Sequence, residues 1–176
     1  MKTQKRTKKI TVCAMASALG VVALYLGSFI EVLDISAAVL ASVLCAVMVI
    51  EYGKGAPLSV FLVTALLSLL LLPNKFPALL YVVFFGYYPI IKEKIEKIRS
   101  RIAQWAVKLC IFALATAVLF FMMNIFTVDV DLPAGTLMKA GFALLIALTL
   151  VIYDLALTKI ITFYIIRLRN RFKKIF

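Results

Sequence analysis

Three charged side chains interrupt otherwise apolar stretches of the sequence, where such groups are energetically expensive and usually functional. They are Lys108, Asp154 and Lys159. Two explanations are open. In the first, Asp154 forms a structural ion pair, either with Lys108 or with a Lys159 that extends to the membrane surface. In the second, the three groups transfer protons. A proton relay needs a longer chain of such groups, which the sequence lacks, so we interpret them as an intramembrane charge pair.

The sequence carries no set of residues typical of an enzyme. It has no histidine, the commonest metal ligand and general base. The motifs G-x-x-x-x-G-K-[ST], H-E-x-x-H and G-x-S-x-G are absent. The cysteines Cys13, Cys45 and Cys110 lie singly in apolar runs and are interpreted as small buried hydrophobic residues. We therefore predict no enzymatic activity, no metal site and no cofactor. Energy for transport would come from a partner or a gradient.

A second group of polar residues lies close to the ends of the apolar stretches, on what the distribution of basic residues indicates is the outer side. If the outer helix ends splay apart, these side chains converge on a small polar solute. Solvation of the loops is the alternative explanation for most of them. The predicted substrate-binding residues are Glu31, Asp34, Asn74, Lys75, Tyr81, Asn124 and Lys139.

The composition indicates which elements position these residues. Of 176 residues, 65% are hydrophobic and 16% are charged, more apolar material than a soluble domain of this size can bury. A helix needs about 20 apolar residues to cross a bilayer. We therefore predict an all-α integral membrane protein, a bundle of six transmembrane helices joined by short loops in a single domain, residues 1–176. The predicted helices are 10–30, 35–50, 56–72, 76–91, 103–126 and 138–166.

The basic residues predict the orientation of these helices. Sixteen of the 20 Lys and Arg residues lie in four regions: the N-terminal tail, Lys54, residues 92–101 and the C-terminal tail. All four regions lie on one side of the predicted membrane. Basic loops stay in the cytoplasm, so both termini are predicted to be cytoplasmic in a multi-pass protein of a bacterial-type plasma membrane. This clustering at helix junctions argues against nucleic acid as a partner, despite the net charge of +12.

Two shorter patterns add detail. Residues 92–101 read KEKIEKIRSR, with Ile95 and Ile98 on one side, and predict a surface helix that is separate or continues a transmembrane helix. In the first predicted helix, Ala14 and Ala18 are four residues apart and form a face that another helix can approach closely. That face serves either to dock a partner or to pack against the chain's own helices.

Three stretches of the sequence resemble the substrate-binding S components of energy-coupling factor (ECF) transporters, in an uncharacterised branch. They read KKITVCAMASALGVVALYLGSFIEVLDIS, LLLLPNKFPALLYVVFFGYYPIIKEKIE and YDLALTKIITFYIIRLRNR. The resemblance implies a subunit that binds a vitamin-like solute, a metal or another micronutrient near the outer face. It also implies docking onto a transmembrane T component that carries cytoplasmic ATPases.

The resemblance also implies roles for particular residues. Ala14 and Ala18 match the A-x-x-x-A docking motif of the family. The loops that contain Glu31, Asp34, Asn74 and Lys75 lie where the family places its lid and its site. The signature residues of the branches with known vitamins are absent, so the resemblance does not identify the solute. The rival hypothesis is a small structural or regulatory membrane protein whose basic tails hold anionic lipid or a partner, with no transported solute.

Overall fold

The computed structural model describes residues 2–53, 55–125 and 136–168, and these residues are helical with short connections. No strand occurs within them, so the predicted all-α fold is confirmed. The helices are α1 (Lys2–Gly27), α2 (Asp34–Tyr52), α3 (Gly55–Leu71), α4 (Phe76–Leu80), α5 (Tyr88–Ile95), α6 (Arg101–Ile125) and α7 (Thr136–Phe163). A 3₁₀ turn (Glu31–Leu33) precedes α2, and π-helical turns (Tyr81–Phe85 and Tyr164–Leu168) follow α4 and α7.

Four described stretches of helix are long and apolar enough to cross a membrane: Arg6–Gly27, Asp34–Tyr52, Arg101–Leu119 and Leu148–Arg167. A fifth apolar helix, Gly55–Leu71, has 17 residues and is shorter than these. A sixth helical segment consists of α4, its π-helical turn and α5. The six helical segments agree with the sequence prediction, whereas six complete crossings and the orientation of the termini stay predictions.

The distribution of side chains in α2 and α3 is the reverse of that in a soluble bundle. The polar residues Ser42, Thr64 and Ser68 are buried, whereas Leu40 is 61% exposed and Leu70 is 75% exposed. Large apolar side chains on the outside are favourable when the surrounding solvent is lipid, and small residues inside allow helices to pack closely. The packing therefore supports the membrane assignment independently of hydropathy.

Small residues set the register of the first three helices. A Cβ atom on Gly27 would collide with that of Ala37, and one on Gly20 would lie 3.2 Å from Thr64 Cγ2 and 3.9 Å from Ala41 Cβ. Residue numbers fall along α1 as they rise along α2, so these two helices are antiparallel. Towards the other end of α1, Ala16 packs in one cluster with Met48, Ala56 and Val60. Along α1 and α3 the numbers rise together, so α3 runs parallel to α1.

The segment predicted as one helix at 76–91 is interrupted in the structure. Gly86 N–H donates to Tyr81 O at 2.6 Å, which widens the helix into the π-helical turn. Pro89 contributes to the break because it has no N–H to donate to the preceding turn. Gly86 also lies against Phe61 of α3, since a Cβ atom there would be 2.6 Å from the ring. This close approach fixes the interruption opposite the middle of α3.

The prediction of one continuous helix at 92–101 is wrong. Its first residues extend α5 to Ile95, and 96–100 form a turn before α6 begins at Arg101. The hydroxyl of Ser100 accepts a hydrogen bond from the N–H of Ala103 at 3.5 Å, as expected of a residue that caps a helix. Gln104 Nε2 donates to Ile98 O at 2.7 Å. These polar contacts close the turn and start a new helix.

The chain divides into two compact units, Met1–Val128 and Asp129–Phe176. In the first unit, α2 packs against α1, α3, α4 and α5, and α6 packs against α4, α5 and the turn between them. The ring of Tyr88 lies 5.2 Å from that of Phe112, which joins α5 to α6. The second unit contains α7 and its π-helical turn. The single-domain organisation stays a prediction.

Candidate functional site

Asp34 begins α2 at the end of the first unit where α1 and α3 finish. Only 3% of this residue is exposed. A carboxylate in the first turn of a helix is stabilised by the positive end of the helix dipole, and Asp34 occupies that turn. The structure therefore places a buried carboxyl group in the first turn of α2, at the predicted outer end of the bundle, whereas the sequence analysis had assigned Asp34 to a loop.

Asn74 and Lys75 lie together in the connection from α3 to α4, at the same end of the unit as Asp34. The side chain of Asn74 accepts a hydrogen bond from the N–H of Phe76 at 3.0 Å. Lys75 Nζ donates to Leu72 O at 2.6 Å. Both side chains are half-buried and help to close their own loop. Because α4 packs against α2, the loop that precedes α4 and the first turn of α2 belong to neighbouring helices.

Tyr81 lies deeper than the sequence suggested. It opens the π-helical turn and is completely buried. The centre of the Tyr81 ring lies 6.0 Å from that of the Phe61 ring. Tyr87, on the same helical segment as Tyr81, has its ring centre 6.4 Å from that of Phe61. Tyr81 thus belongs to an aromatic cluster between α3 and the interrupted helix, one layer below the polar loop. π-Helical turns are frequent at functional sites, and periodicity in the sequence had not indicated one here.

The remaining predicted substrate-binding residues are described only by their helices. Glu31 lies in the 3₁₀ turn, Asn124 is close to the end of α6, and Lys139 is close to the start of α7. Their side chains lie outside the part of the chain that the structure describes. The described residues that gather at the predicted outer end are therefore Asp34, Asn74 and Lys75, with Tyr81 beneath them.

The three predicted intramembrane charges differ in burial. Lys108 is 6% exposed in α6, Asp154 is 2% exposed in α7, and Lys159 is exposed. The ammonium of Lys108 lies 5.4 Å from the centre of the Trp105 ring. Lys108 and Asp154 belong to different units, so their pairing stays a prediction. The extension of Lys159 towards the membrane surface also stays a prediction.

A further buried charge was missed by the sequence analysis, which had counted Lys92 among the surface charges. Lys92 is only 1% exposed. Its Nζ lies 3.2 Å from a carboxylate oxygen of Glu96 and 5.8 Å from the centre of the Tyr88 ring. Tyr88 and Glu96 precede and follow Lys92 by four residues, which puts them on one face of a helix. The four-residue spacing of Tyr88, Lys92 and Glu96 was the signal in the sequence that could have identified this buried charge.

The predicted docking residues of α1 are open. Ala14 and Ala18 are both exposed, whereas Ala16, Ser17 and Gly20 of the same helix are buried. Within the described residues, one face of α1 packs inside the unit, and Ala14 and Ala18 lie outside that contact. Docking of a partner through these two alanines stays a prediction.

The described residues contain no group of three or more His, Cys, Asp or Glu side chains that could hold a metal ion. Their chemistry at the predicted outer end is that of one carboxylate, one amide and one ammonium above a buried phenol, which suits hydrogen bonding to a small polar molecule. No known protein family, curated protein or solved structure matches this chain.

Proposed function

We propose that the chain is the solute-binding subunit of an ECF-type importer. It captures a vitamin-like molecule or another micronutrient at the outer end of its helices and docks onto a T component with cytoplasmic ATPases. In this proposal the chain crosses a bacterial-type plasma membrane six times with both termini in the cytoplasm. The observation that carries the proposal is the exposure of Ala14 and Ala18 on a helix whose Ala16, Ser17 and Gly20 are buried.

The shape of that face of α1 supports docking. Met15 and Leu19 flank the two alanines and are 61% and 56% exposed. The two alanines beside these longer side chains leave a shallow notch that another apolar helix can enter closely. In a bilayer such a contact is driven by packing, because lipid is as apolar as the helix. A notch on a lipid-facing surface is therefore suited to a transmembrane partner.

The polar end of the unit supports solute capture. Asp34, Asn74 and Lys75 lie at the end of the bundle opposite to the start of α1, and all three are at least half-buried. These three side chains give this end of the bundle a polar character, which favours a solute with hydrogen-bonding groups over an apolar one. The opposite charges of Asp34 and Lys75 favour a solute that carries both donors and acceptors.

The docking assignment is tested by co-expression with a T component and its ATPases in a bacterial host. Ala14→Trp combined with Ala18→Trp should abolish co-purification of the partner subunits, since two indole rings fill the notch. Ala113→Trp is the matched control, because Ala113 is exposed on α6. Normal assembly of the double variant, or an equal loss with the control, contradicts the docking assignment.

Solute capture is tested on the same preparations by mass spectrometry of small molecules that remain bound through gentle purification. The expected result is one enriched compound, retained in the Ala14→Trp, Ala18→Trp variant and lost in Asp34→Ala. A compound that is retained by Asp34→Ala would place the site elsewhere. The absence of any enriched compound, with a folded protein, would contradict the importer proposal.

A structural or regulatory membrane protein is the second candidate, and one observation favours it. The polar groups of Asn74 and Lys75 that would bind a solute already bond to the backbone of their own loop. If their role is only to close that loop, Lys75→Met lowers stability without changing the small molecules that co-purify. If they also bind solute, the same variant loses the bound compound as well.

A further inference from the structure

A groove of about 540 Å³ lies between α1 and α3, within the first unit. Its walls include Cys13 and Ser17 from α1 and Ser59 and Val63 from α3, and Arg6 and Lys9 lie at the end where α1 begins. The volume falls in the range of about 300–1,000 Å³ that is typical of ligand pockets. This groove is at the opposite end of α1 from the polar residues of the proposed solute site.

The walls of the groove are apolar even though they contain hydroxyl groups. Ser17 Oγ donates to Cys13 O at 2.9 Å, and Ser59 Oγ donates to Ala56 O at 2.8 Å. Each hydroxyl hydrogen is therefore committed to the backbone of its own helix. What the walls offer to an occupant is a smooth surface of small side chains and methylene groups, which suits a hydrocarbon chain.

The mouth of the groove is positively charged. Arg6 and Lys9 are three residues apart on α1, and so lie on the same face of the helix. Lys9 is half-buried and its Nζ lies 5.9 Å from the centre of the Tyr52 ring at the end of α2. Among the described residues that line the groove none is acidic. The mouth is therefore complementary to an anion.

We propose that this groove binds one anionic phospholipid, with the phosphate between Arg6 and Lys9 and one acyl chain along the walls formed by α1 and α3. The apolar walls, the basic mouth and the position on a helix that is long and apolar enough to span a membrane match the two parts of such a lipid. The inference needs neither the outer polar residues nor a partner subunit, but its site overlaps the proposed docking face, because Ala14 also lines the groove.

The charge at the mouth sets the expected selectivity. A basic residue near a membrane surface contributes about 1 kcal/mol to the attraction of anionic lipid. Two such residues predict about a 30-fold preference for phosphatidylglycerol over phosphatidylcholine with the same acyl chains. Native mass spectrometry with each lipid added separately measures this ratio. Equal retention of the two lipids would overturn the proposal.

Cys13 provides a reporter inside the groove. Cys45 is buried and Cys110 is exposed, so a Cys110→Ala protein leaves Cys13 as the accessible thiol. In nanodiscs of phosphatidylcholine, a small membrane-permeant thiol reagent should label Cys13 readily. Addition of phosphatidylglycerol should slow this labelling, and Arg6→Gln with Lys9→Gln should restore the original rate.

Two controls make the test specific. Lys8 is exposed on the same helix and does not line the groove, so Lys8→Gln should keep the protection. Equal loss in Lys8→Gln would mean a diffuse attraction between lipid and the basic tail, and would overturn the proposed site. Ser59→Leu, which fills the groove, should lose retained phosphatidylglycerol in native mass spectrometry, whereas Ser36→Leu on the exposed face of α2 should not.

Other occupants give different results. A second copy of the chain in the groove would bring two Cys13 residues close enough for oxidation to yield a disulfide-linked dimer, which would overturn the lipid proposal. Protection of Cys13 only after a T component is added, with no effect of phosphatidylglycerol, would overturn it in favour of a protein partner. If a variant does not fold, the lipid titration of the unmutated protein still measures the preference for phosphatidylglycerol.

Discussion

Two regions of the molecule pack their helices in different ways. One is the contact of α1 with α2 and α3, and the other is the segment from α4 to α5. In the first region, Gly20 and Gly27 let regular helices approach closely, against the side chains of Thr64 and Ala37. In the second, the helix is interrupted by a π-helical turn, packs through aromatic rings and buries the charged Lys92. The first arrangement tolerates no added volume, whereas the second has side chains that can move. The difference predicts how each region responds to substitution.

Gly27→Ala should give the largest loss of stability. The added methyl meets the Cβ of Ala37, an atom fixed by its backbone, so the two helices must separate. Overpacking of this kind costs about 1–3 kcal/mol. Gly55→Ala is the matched control, because nothing lies within 4 Å of a Cβ atom there. Thermal unfolding in a mild detergent measures both, and equal stability of the two variants would remove the rigid contact from the comparison.

Lys92→Ala should come next, with a loss of about 1–2 kcal/mol. The buried stem and ammonium of Lys92 fill space beside Tyr88 and pair with Glu96, and both contributions disappear. Lys97→Ala removes an ion pair of the same spacing, with Glu93 at 2.8 Å, whose lysine is 66% exposed. Exposed pairs are worth less than about 1 kcal/mol. A loss in Lys97→Ala as large as that in Lys92→Ala would show that burial is not the cause.

Gly86→Ala should have the smallest net effect, because two terms oppose each other. Alanine favours helix over glycine by about 1 kcal/mol, but the added methyl would lie 2.6 Å from the Phe61 ring. We expect a net loss below about 1 kcal/mol, since a ring can rotate aside where a backbone cannot. In a Phe61→Leu background the same substitution should cost less, although the Tyr81 ring still lies 2.9 Å from the position of the added methyl. A double-mutant cycle by thermal unfolding tests that coupling, and additivity would contradict the proposed contact.

Much of the fold could be predicted from the sequence because helix length and apolarity are local properties. The predicted segments at 35–50 and 56–72 differ from α2 and α3 by at most two residues at each end. The charged stretch at 92–101 was predicted less well. Its pattern suits a helix, but Ser100 and Gln104 form polar contacts that end one helix and begin another. Such capping competes with periodicity, and the periodic signal alone does not decide between them.

The candidate site was predicted in part. Connectivity alone places Asp34, Asn74 and Lys75 at one end, because short connections between helices alternate their direction. Whether each side chain is free for a solute depends on contacts between neighbouring turns, such as the bond from Lys75 to Leu72 O. The depth of Tyr81 depended on Phe61, a residue twenty positions earlier in the chain. Pattern analysis does not register a contact over that separation.

By itself the sequence determined that this protein is helical, that its helices are long and apolar, and which small and charged residues they carry. These properties follow from composition and spacing along one chain. Tertiary structure decided which face of α1 is buried and which presents Ala14 and Ala18, that Lys92 lies inside, and that α1 and α3 leave a groove with a basic mouth. The physical reason is that burial is a property of the neighbours a residue meets, and residues distant in the sequence supply them.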